Sequence, residues 1–356
     1  MSRFQLFGFI LQTQVGIGVI AFPYELHKSA DTEGWISIIL AGVVIQLLIF
    51  AYIALSNRFP GRNLFEYAPL LLGKWLGYLV TILYIIHFAL SSCIIMLLEV
   101  IFVRLWVLPF TNPLYVMLVN AIILLYFAPE SIRIIARYHT LITILIPFLL
   151  LLMFLGPDNF DYRYLLPIGD EGWKALLLGM KSSVLSFLGF ELLLLVSSDV
   201  KLEGKSLVAP TLWANGAATF FYLLVVLACS LNFSPEALDE VPQPVPYYLN
   251  GISLPFLERI DLLFLSVWLV KVTATLTSYV YATGRSISSL FHLNKHRIAI
   301  YCITPPVCAM GFFWKSEAFL THLSRVLEFE CFIIISLPVA LLLVAWMTGK
   351  KEGKPA

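Results

Sequence analysis

The sequence predicts an all-α integral membrane protein of about ten transmembrane helices. Three observations carry this. The 356-residue chain is 60% hydrophobic and only 13% charged, with a mean hydropathy of +0.89, whereas soluble domains are about 45–50% apolar and about 25% charged. The apolar residues fall in runs close to the ~20 residues that a bilayer-crossing helix needs. The connections between runs hold turn-forming clusters such as SNRFPGRN, LGPDNFD and NFSPEALDEVPQPVP. A soluble fold of this length has no core large enough to hide so much apolar surface. The net charge of +1 and the lack of a basic run interleaved with aromatics argue against a nucleic-acid partner.

Ten spans are expected near 4–29, 35–56, 77–103, 114–128, 139–156, 173–197, 208–231, 257–284, 297–314 and 328–347. Orientation follows from Lys and Arg in the connections. With the N-terminus inside, the inner side holds Arg3, Arg58, Arg62, Lys74, Arg133, Arg137, Lys201, Lys205, Arg285, Lys295, Arg297, Lys350, Lys351 and Lys354. The outer side holds Lys28, Arg104, Arg163, Lys174, Arg259, Lys315 and Arg325, so the inner set is twice the outer. Both termini are therefore expected in the cytoplasm, which an even number of spans allows. Residues 61–77, GRNLFEYAPLLLGKWLG, mix Leu, Phe and Trp with Arg62, Glu66 and Lys74. They read as a short helix lying in the inner interface, or as a structured loop. Residues 241–256, VPQPVPYYLNGISLPF, are too rich in proline for a span and read as an outer lid or a long connection.

Ten spans divide into five and five within a single transmembrane domain, 1–356. Repeat one covers about 1–156 and repeat two about 173–347, with a short cytoplasmic tail at 348–356. Each half opens on an apolar run interrupted by glycine: TQVGIGVIAFP in the first span and SFLGFELLLLV in the sixth. An odd number of spans per half sets the halves in opposite membrane orientations, and interrupted segments at matching positions point to a binding site. The symmetry is positional, since the halves share almost no sequence.

The interruptions have a physical logic. In lipid a backbone N–H or C=O left without a partner costs several kcal/mol, so an unwound stretch is tolerable only inside the protein or around a ligand. The N–H groups opening the second half-helix favour an anion such as a carboxylate. The C=O groups closing the first can hold an ammonium or another cation, and an α-amino acid carries both charges. Pro23 would then fall in the first turns of a restarted half-helix, where its missing N–H costs least. The bland alternative is that Gly16, Gly18 and Gly189 merely let helices pack closely. GIGVIA also fits the dinucleotide fingerprint G-x-G-x-x-A, but no strand precedes it and no strand–helix alternation follows. No nucleotide, other cofactor or catalytic activity is expected. The five cysteines, Cys93, Cys229, Cys302, Cys308 and Cys331, lie in apolar runs without C-x-x-C spacing, so they read as small buried hydrophobes rather than disulfide or zinc ligands. The first apolar run ends in FPYE rather than an A-x-A-like cleavage site, so it is not read as a signal peptide.

Ionisable residues within spans are functional candidates by default. Glu191, just after the break in span six, can cap freed backbone or bind a proton or cation; it can equally be a structural carboxylate bonded to broken span one. Lys271 in span eight can occupy a cation site or form a structural ion pair. Lys181 can snorkel to an interface, Glu99 can sit at the outer interface, and His87 in span three is a weaker candidate. In span eight Thr273, Thr277 and Tyr281 share one helix face, while Thr275 and Ser278 share another with Lys271. In span three Phe88, Ser92 and Met96 share a face. Hydroxyls beside aromatics suit a small zwitterion with a modest apolar side chain, or simply bond helix to helix.

Five stretches together carry a family resemblance: TQVGIGVIAFP, FPGRNLFEYAPLLLGKWLG, ESIRIIARYHTLITILIPF, LLPIGDEGWKALLLG followed by SFLGFELLLL, and FLERIDLLFLSVWLVK. In order and spacing they resemble the endospore germination permeases, the B subunits of spore germinant receptors, within the amino acid–polyamine–organocation superfamily. The resemblance spans essentially the whole chain. It implies a LeuT-like five-plus-five fold with spans one and six broken. It also implies a sensor in the spore inner membrane, working with an A subunit and a C lipoprotein and binding a small germinant, often an amino acid, between spans one, three, six and eight. Carried over by position, the pocket would use Gly16, Ile17 and Gly18, Phe88 and Ser92, Leu188, Gly189 and Phe190, and Thr277 and Tyr281. The backbone at Gly16–Gly18 would take the ligand carboxylate, Phe88 and Phe190 would wall its side chain, and Thr277 would offer a hydroxyl. The alternative function is a secondary transporter moving an amino acid with a proton or sodium ion, with Glu191 and Lys271 as coupling residues. A third is a structural scaffold for a receptor complex.

Overall fold

The computed structural model describes residues 1–155, 160–167, 169–170, 172–200, 207–252 and 258–351, and the regular structure among them is helical. Span one is two short helices, α1 (Arg3–Gln14) and α2 (Phe22–Ala30). Span two is α3 (Gly34–Arg58), followed by the short α4 (Leu64–Leu72). Span three is α5 (Lys74–Phe102), continued by a wider turn to Val107; span four is α6 (Pro113–Phe127). Span five joins α7 (Ile132–Ile142) to α8 (Leu145–Met153). Span six joins α9 (Gly172–Ser186) to α10 (Leu193–Val196), and span seven is α11 (Val208–Asn232). After the short α12 (Pro235–Glu240) and α13 (Pro244–Asn250), α14 (Ile260–Leu290), α15 (His296–Ala309) and α16 (Glu317–Met347) form spans eight to ten.

Six helical stretches are long and apolar enough to cross a membrane unaided, and span six adds a seventh across a 53° bend. The other spans are short or interrupted for visible reasons: α6 has 15 residues, α1 stops at the first break, and α15 contains Pro305 and Pro306. The helical stretch Phe22–Arg58 is two spans, because the chain reverses at Asp31, whose φ is +46°. Ala30 and Ser37 both crowd Gly179 of α9, whereas a straight helix would hold them about 10 Å apart.

Sidedness among the described residues is internally consistent. The Met1 ammonium donates to the Asp199 carbonyl (2.7 Å), so span one starts where span six ends and the two run antiparallel. Lys350 Nζ reaches the Leu71 carbonyl (3.0 Å), and the Tyr78 hydroxyl lies 3.4 Å from His292. These contacts bring the two ends of the described chain to one end of the bundle. Toward the opposite end Lys28 of α2 pairs with Asp239 of α12 (2.8 Å), and farther along the bundle Lys181 of α9 pairs with Glu328 of α16 (2.5 Å).

Several boundaries move relative to expectation. The interfacial helix expected over 61–77 closes at Leu72, because Gly73 turns the chain at φ +84°. Trp75 and Leu76 therefore open span three rather than close the amphipathic helix. α4 starts on a reciprocal cap: the Asn63 side chain accepts from Phe65 and Glu66 N–H, and Glu66 accepts from Asn63 N–H. Span five begins at Ile132, seven residues early, since the charges in SIRIIAR lie on one side of an amphipathic helix. Span ten begins at Glu317, where the Ser316 side chain caps a polar first turn by accepting from Phe319 N–H. In the proline-rich segment, α13 packs on α14, on α2 and on the turn within span one, as a lid would; residues 253–256 lie outside the described residues.

Small residues permit the closest helix contacts. A Cβ on Gly77 would lie 2.4 Å from the Pro69 backbone, so α4 and α5 touch through the missing side chain. Gly77→Ala is expected to cost about 1–3 kcal/mol through overpacking and to lower the thermal midpoint in detergent. Gly216→Ala, on an exposed face of α11 with nothing within 4 Å of the new Cβ, should leave stability unchanged or raise it by up to about 1 kcal/mol, read as an unchanged or higher midpoint.

Candidate functional site

α1 stops at Gln14 because Val15 and Gly16 leave helical geometry, with ψ values of 77° and −144°. One tight turn, Ile17–Ile20, follows before α2 restarts with Pro23 in its first turn, as the sequence predicts. The freed carbonyls find partners on other spans. Thr275 of α14 donates to Gln12 O (3.2 Å). The Tyr222 hydroxyl of α11 lies within reach of Gln14 O (3.0 Å). On the other side of the break no side chain caps the tight turn, and the N–H groups of Ile17 and Gly18 lead it without an intrahelical acceptor. Gly16, Ile17 and Gly18 are all half-buried rather than sealed.

Span six breaks at Phe187–Gly189. Gly189 has φ +124°, a conformation that side chains rarely adopt. A Cβ there would fall 2.5 Å from the carbonyl carbon and oxygen of Thr13. The second break therefore presses directly on the first, backbone to backbone. Thr13 Oγ1 lies 3.3 Å from Gly189 O but nearer to Phe9 O and Ile10 O on its own helix (2.9 and 3.0 Å), and Gly189 N–H donates to Glu191 Oε2 (2.7 Å). The Tyr222 hydroxyl also reaches Ser186 O, the end of α9, at 2.8 Å. One phenol thus stands between the ends of both interrupted helices, its single hydrogen within reach of either carbonyl.

Above the break in span six lies a cavity of about 600 Å³, within the ordinary range for a small-molecule site. It runs between α2, α5, α9 and α16, with Leu185 and Leu188 toward the breaks and Glu25, Lys28, Lys181 and Glu328 toward the outer rim. The Lys28 ammonium holds the Asp239 carboxyl at the rim below its ordinary value. Beside the cavity, Gly18 faces Ser186 of α9, its absent Cβ 3.5 Å from the hydroxyl.

The spore germination protein family matches residues 1–318. The chain belongs to this family. Spore germination protein YndE of Bacillus subtilis (strain 168) is 26% identical over 354 residues, 97% of this chain and 95% of that one. Spore germination protein GerQB of Bacillus cereus is 23% identical over 296 residues, 83% and 81% of the two chains. Among solved structures, Mhp1, a nucleobase-cation-symport-1 family transporter in a closed conformation, aligns with a TM-score of 0.62 at 14% identity, over 94% of this chain and 77% of its own. A Na⁺-coupled sialic acid symporter in its outward-open state aligns at 0.61 and 13% identity, over 98% and 79%. These likenesses establish the fold as the LeuT-like arrangement of two inverted five-span repeats. This germination protein is thus a multi-pass membrane protein whose family and fold point to a receptor or a transporter.

The site residues expected from sequence divide into two groups. Gly16, Ile17 and Gly18 form the first break, Leu188 lines the cavity, and Gly189 joins the breaks. Phe190 follows directly but stacks on Tyr52 of α3 (5.8 Å), and Phe88 packs between Tyr84 and Tyr279 (5.7 and 6.1 Å). Ser92 and Thr277 spend their hydroxyls on their own helices, at Phe88 O and Thr273 O. Tyr281 sits at the far end of α14, accepting from Arg285 and touching His296. The face of α14 turned toward span one carries Lys271 and Thr275, with Ser278 beside them meeting His139 of α7 (2.8 Å), and not Thr273, Thr277 and Tyr281. Lys271 Nζ donates to Gln12 Oε1 (2.9 Å) in full burial, and among the described residues no carboxylate pairs with it.

Glu191 serves the backbone as expected, though at its own break rather than at span one: besides Gly189 N–H it accepts from the Tyr279 hydroxyl (2.8 Å). Glu99 is buried against Asn120 and Thr273, while Lys181 is exposed at the cavity rim. Sequence reasoning passed over Tyr222, Tyr279 and Glu330. The two tyrosines read as ordinary apolar bulk within their spans, and Glu330 lay near the edge of the expected span ten.

Tyr222→Phe is expected to lower stability by about 1–3 kcal/mol, the cost of a buried group left without its partner, read as a fall in the thermal midpoint. Gly189→Ala should be worse, because it forces both a strained φ and a backbone collision; immunoblots of membranes should show the folded protein largely gone, and normal levels would refute the contact.

Proposed function

We propose that this protein is the ligand-sensing B subunit of a spore nutrient receptor, seated in the spore inner membrane with both termini cytoplasmic and working with an A subunit and a C lipoprotein. The observation that carries this reading is the meeting of the two interrupted spans beneath the cavity. A small zwitterion, most simply an amino acid, would come down the cavity. Its carboxylate would meet the N–H groups of Ile17 and Gly18, and its ammonium the carbonyls that end the half-helices. Leu188 would touch its side chain. The ligand biases the conformation of the bundle only by the difference in its affinity for two states, and partner subunits would read that bias. Membership of the spore germination family supports this over a housekeeping transporter.

The test is a size series at Gly18. Gly18→Ala places a methyl at ordinary contact distance from Ser186, and such spores should answer their nutrient almost normally. Gly18→Leu should raise the nutrient concentration needed for germination at least tenfold while A, B and C subunits persist on immunoblots. A normal response in Gly18→Leu spores would remove the pocket. Loss of response together with loss of the complex would favour a scaffold role.

A second reading, a proton- or sodium-coupled amino acid transporter, draws support from Lys271, a buried amine held by an amide next to the first break. It predicts that the purified protein in liposomes takes up labelled amino acid in a gradient-dependent manner, and that Lys271→Met abolishes this. The sensor reading predicts saturable binding without uptake.

A further inference from the structure

We propose that the protein carries a transition-metal site of the zinc type between spans three and ten, formed by His87, Glu330 and Cys331 and steadied by Glu191. The His87 nitrogen, Glu330 oxygen and Cys331 sulfur that would serve as ligands all lie within 4.8 Å of one another, and all three residues are buried. Ligand atoms on a tetrahedral zinc ion, with bonds of about 2.0–2.3 Å, stand roughly 3.3–3.8 Å apart, so the group closes on an ion with small side-chain movements. Glu330 Oε1 is buried with no hydrogen-bond partner. A carboxylate oxygen left so inside a membrane protein is costly unless something positive meets it.

The donor set selects the ion. One imidazole nitrogen, one carboxylate oxygen and one sulfur suit zinc and its neighbours; magnesium and calcium would ask for oxygen throughout. The second shell is already in place. His87 Nδ1 faces Glu330 (2.9 Å) and Nε2 faces Glu191 (3.4 Å). Glu191 is itself fixed by Gly189 N–H and by Tyr279. With Nε2–H donated to Glu191, Nδ1 is the nitrogen left for the metal, the carboxylate–histidine–metal arrangement of many sites. On binding, the divalent ion replaces the proton between Nδ1 and Glu330, and Cys331 binds as thiolate. Both protons leave to solvent. Cysteine spacing predicts no zinc site in this sequence because such patterns detect ligands close along the chain; here His87 and Glu330 are 243 residues apart.

The site is joined to the proposed nutrient pocket through Glu191, which also caps Gly189, so it is tested without nutrient. The full chain in nanodiscs is stripped with chelator, and Zn²⁺ or Co²⁺ alone is titrated in. One tightly held equivalent per chain is expected, with a thiolate-to-cobalt charge-transfer band in the Co²⁺ form. Cys331→Ser should abolish the band, and Glu330→Gln should weaken binding at least tenfold. Glu191→Gln should weaken it about 10–100-fold yet keep the band at saturation, as a positioning residue would. The proposal falls if the native chain retains no stoichiometric ion, if its cobalt form lacks the thiolate band, or if Cys331→Ser and Glu330→Gln bind as the native chain does. Unchanged binding in Glu191→Gln would remove Glu191 from the site.

Discussion

The bundle depends on one contact: the backbone of Gly189 lying against the backbone of Thr13. Two helices that each stop inside the membrane expose groups that lipid cannot satisfy. By touching, they screen each other, and spans seven and eight supply the hydroxyls that the pair lacks. Gly189 permits the approach twice over, through its left-handed φ and through its missing Cβ. The outer cavity, the turn Ile17–Ile20 and the cap from Glu191 all take their positions from this crossing.

Much of this was legible in the sequence. Composition and the length of the apolar runs gave the class, the count of spans followed, and the two glycine-interrupted stretches marked the sites of the breaks. Pro23 fell in the first turn of the restarted helix, where its chemistry predicts. What failed was rotation and reach. The sequence offered two polar faces on α14, and nothing local says which one meets span one; the choice is made by packing against α1 and α5, and it falls on Lys271 and Thr275, while Ser278 meets span five. Boundaries slipped at Ile132 and Glu317 because a helix continues on polar residues, which hydropathy counts as loop. Tyr222 carried no signal at all, since a phenol inside an apolar run looks like any other large side chain.

The polar interior has two storeys. Around the breaks the partners are backbone amides, hydroxyls, the side chains of Gln12 and Gln14, and one lysine on an amide. Toward span ten lies an ionisable group, Glu191, His87 and Glu330, with Cys331 beside it. Glu191 belongs to both, since it accepts from the backbone of the break and faces the imidazole. Any movement of the span-six break therefore changes the surroundings of a buried ionisable cluster, and any change of charge in that cluster acts on the break.

The Tyr222 phenol has a single hydrogen, yet two carbonyl oxygens, one from each broken helix, stand within its reach. It can serve only one at a time. The Gln14 oxygen also accepts from the Gly16 N–H (3.1 Å), so it keeps a partner whichever way the hydroxyl points. A single hydroxyl rotation therefore shifts one hydrogen bond from the first interrupted span to the sixth without stranding the first.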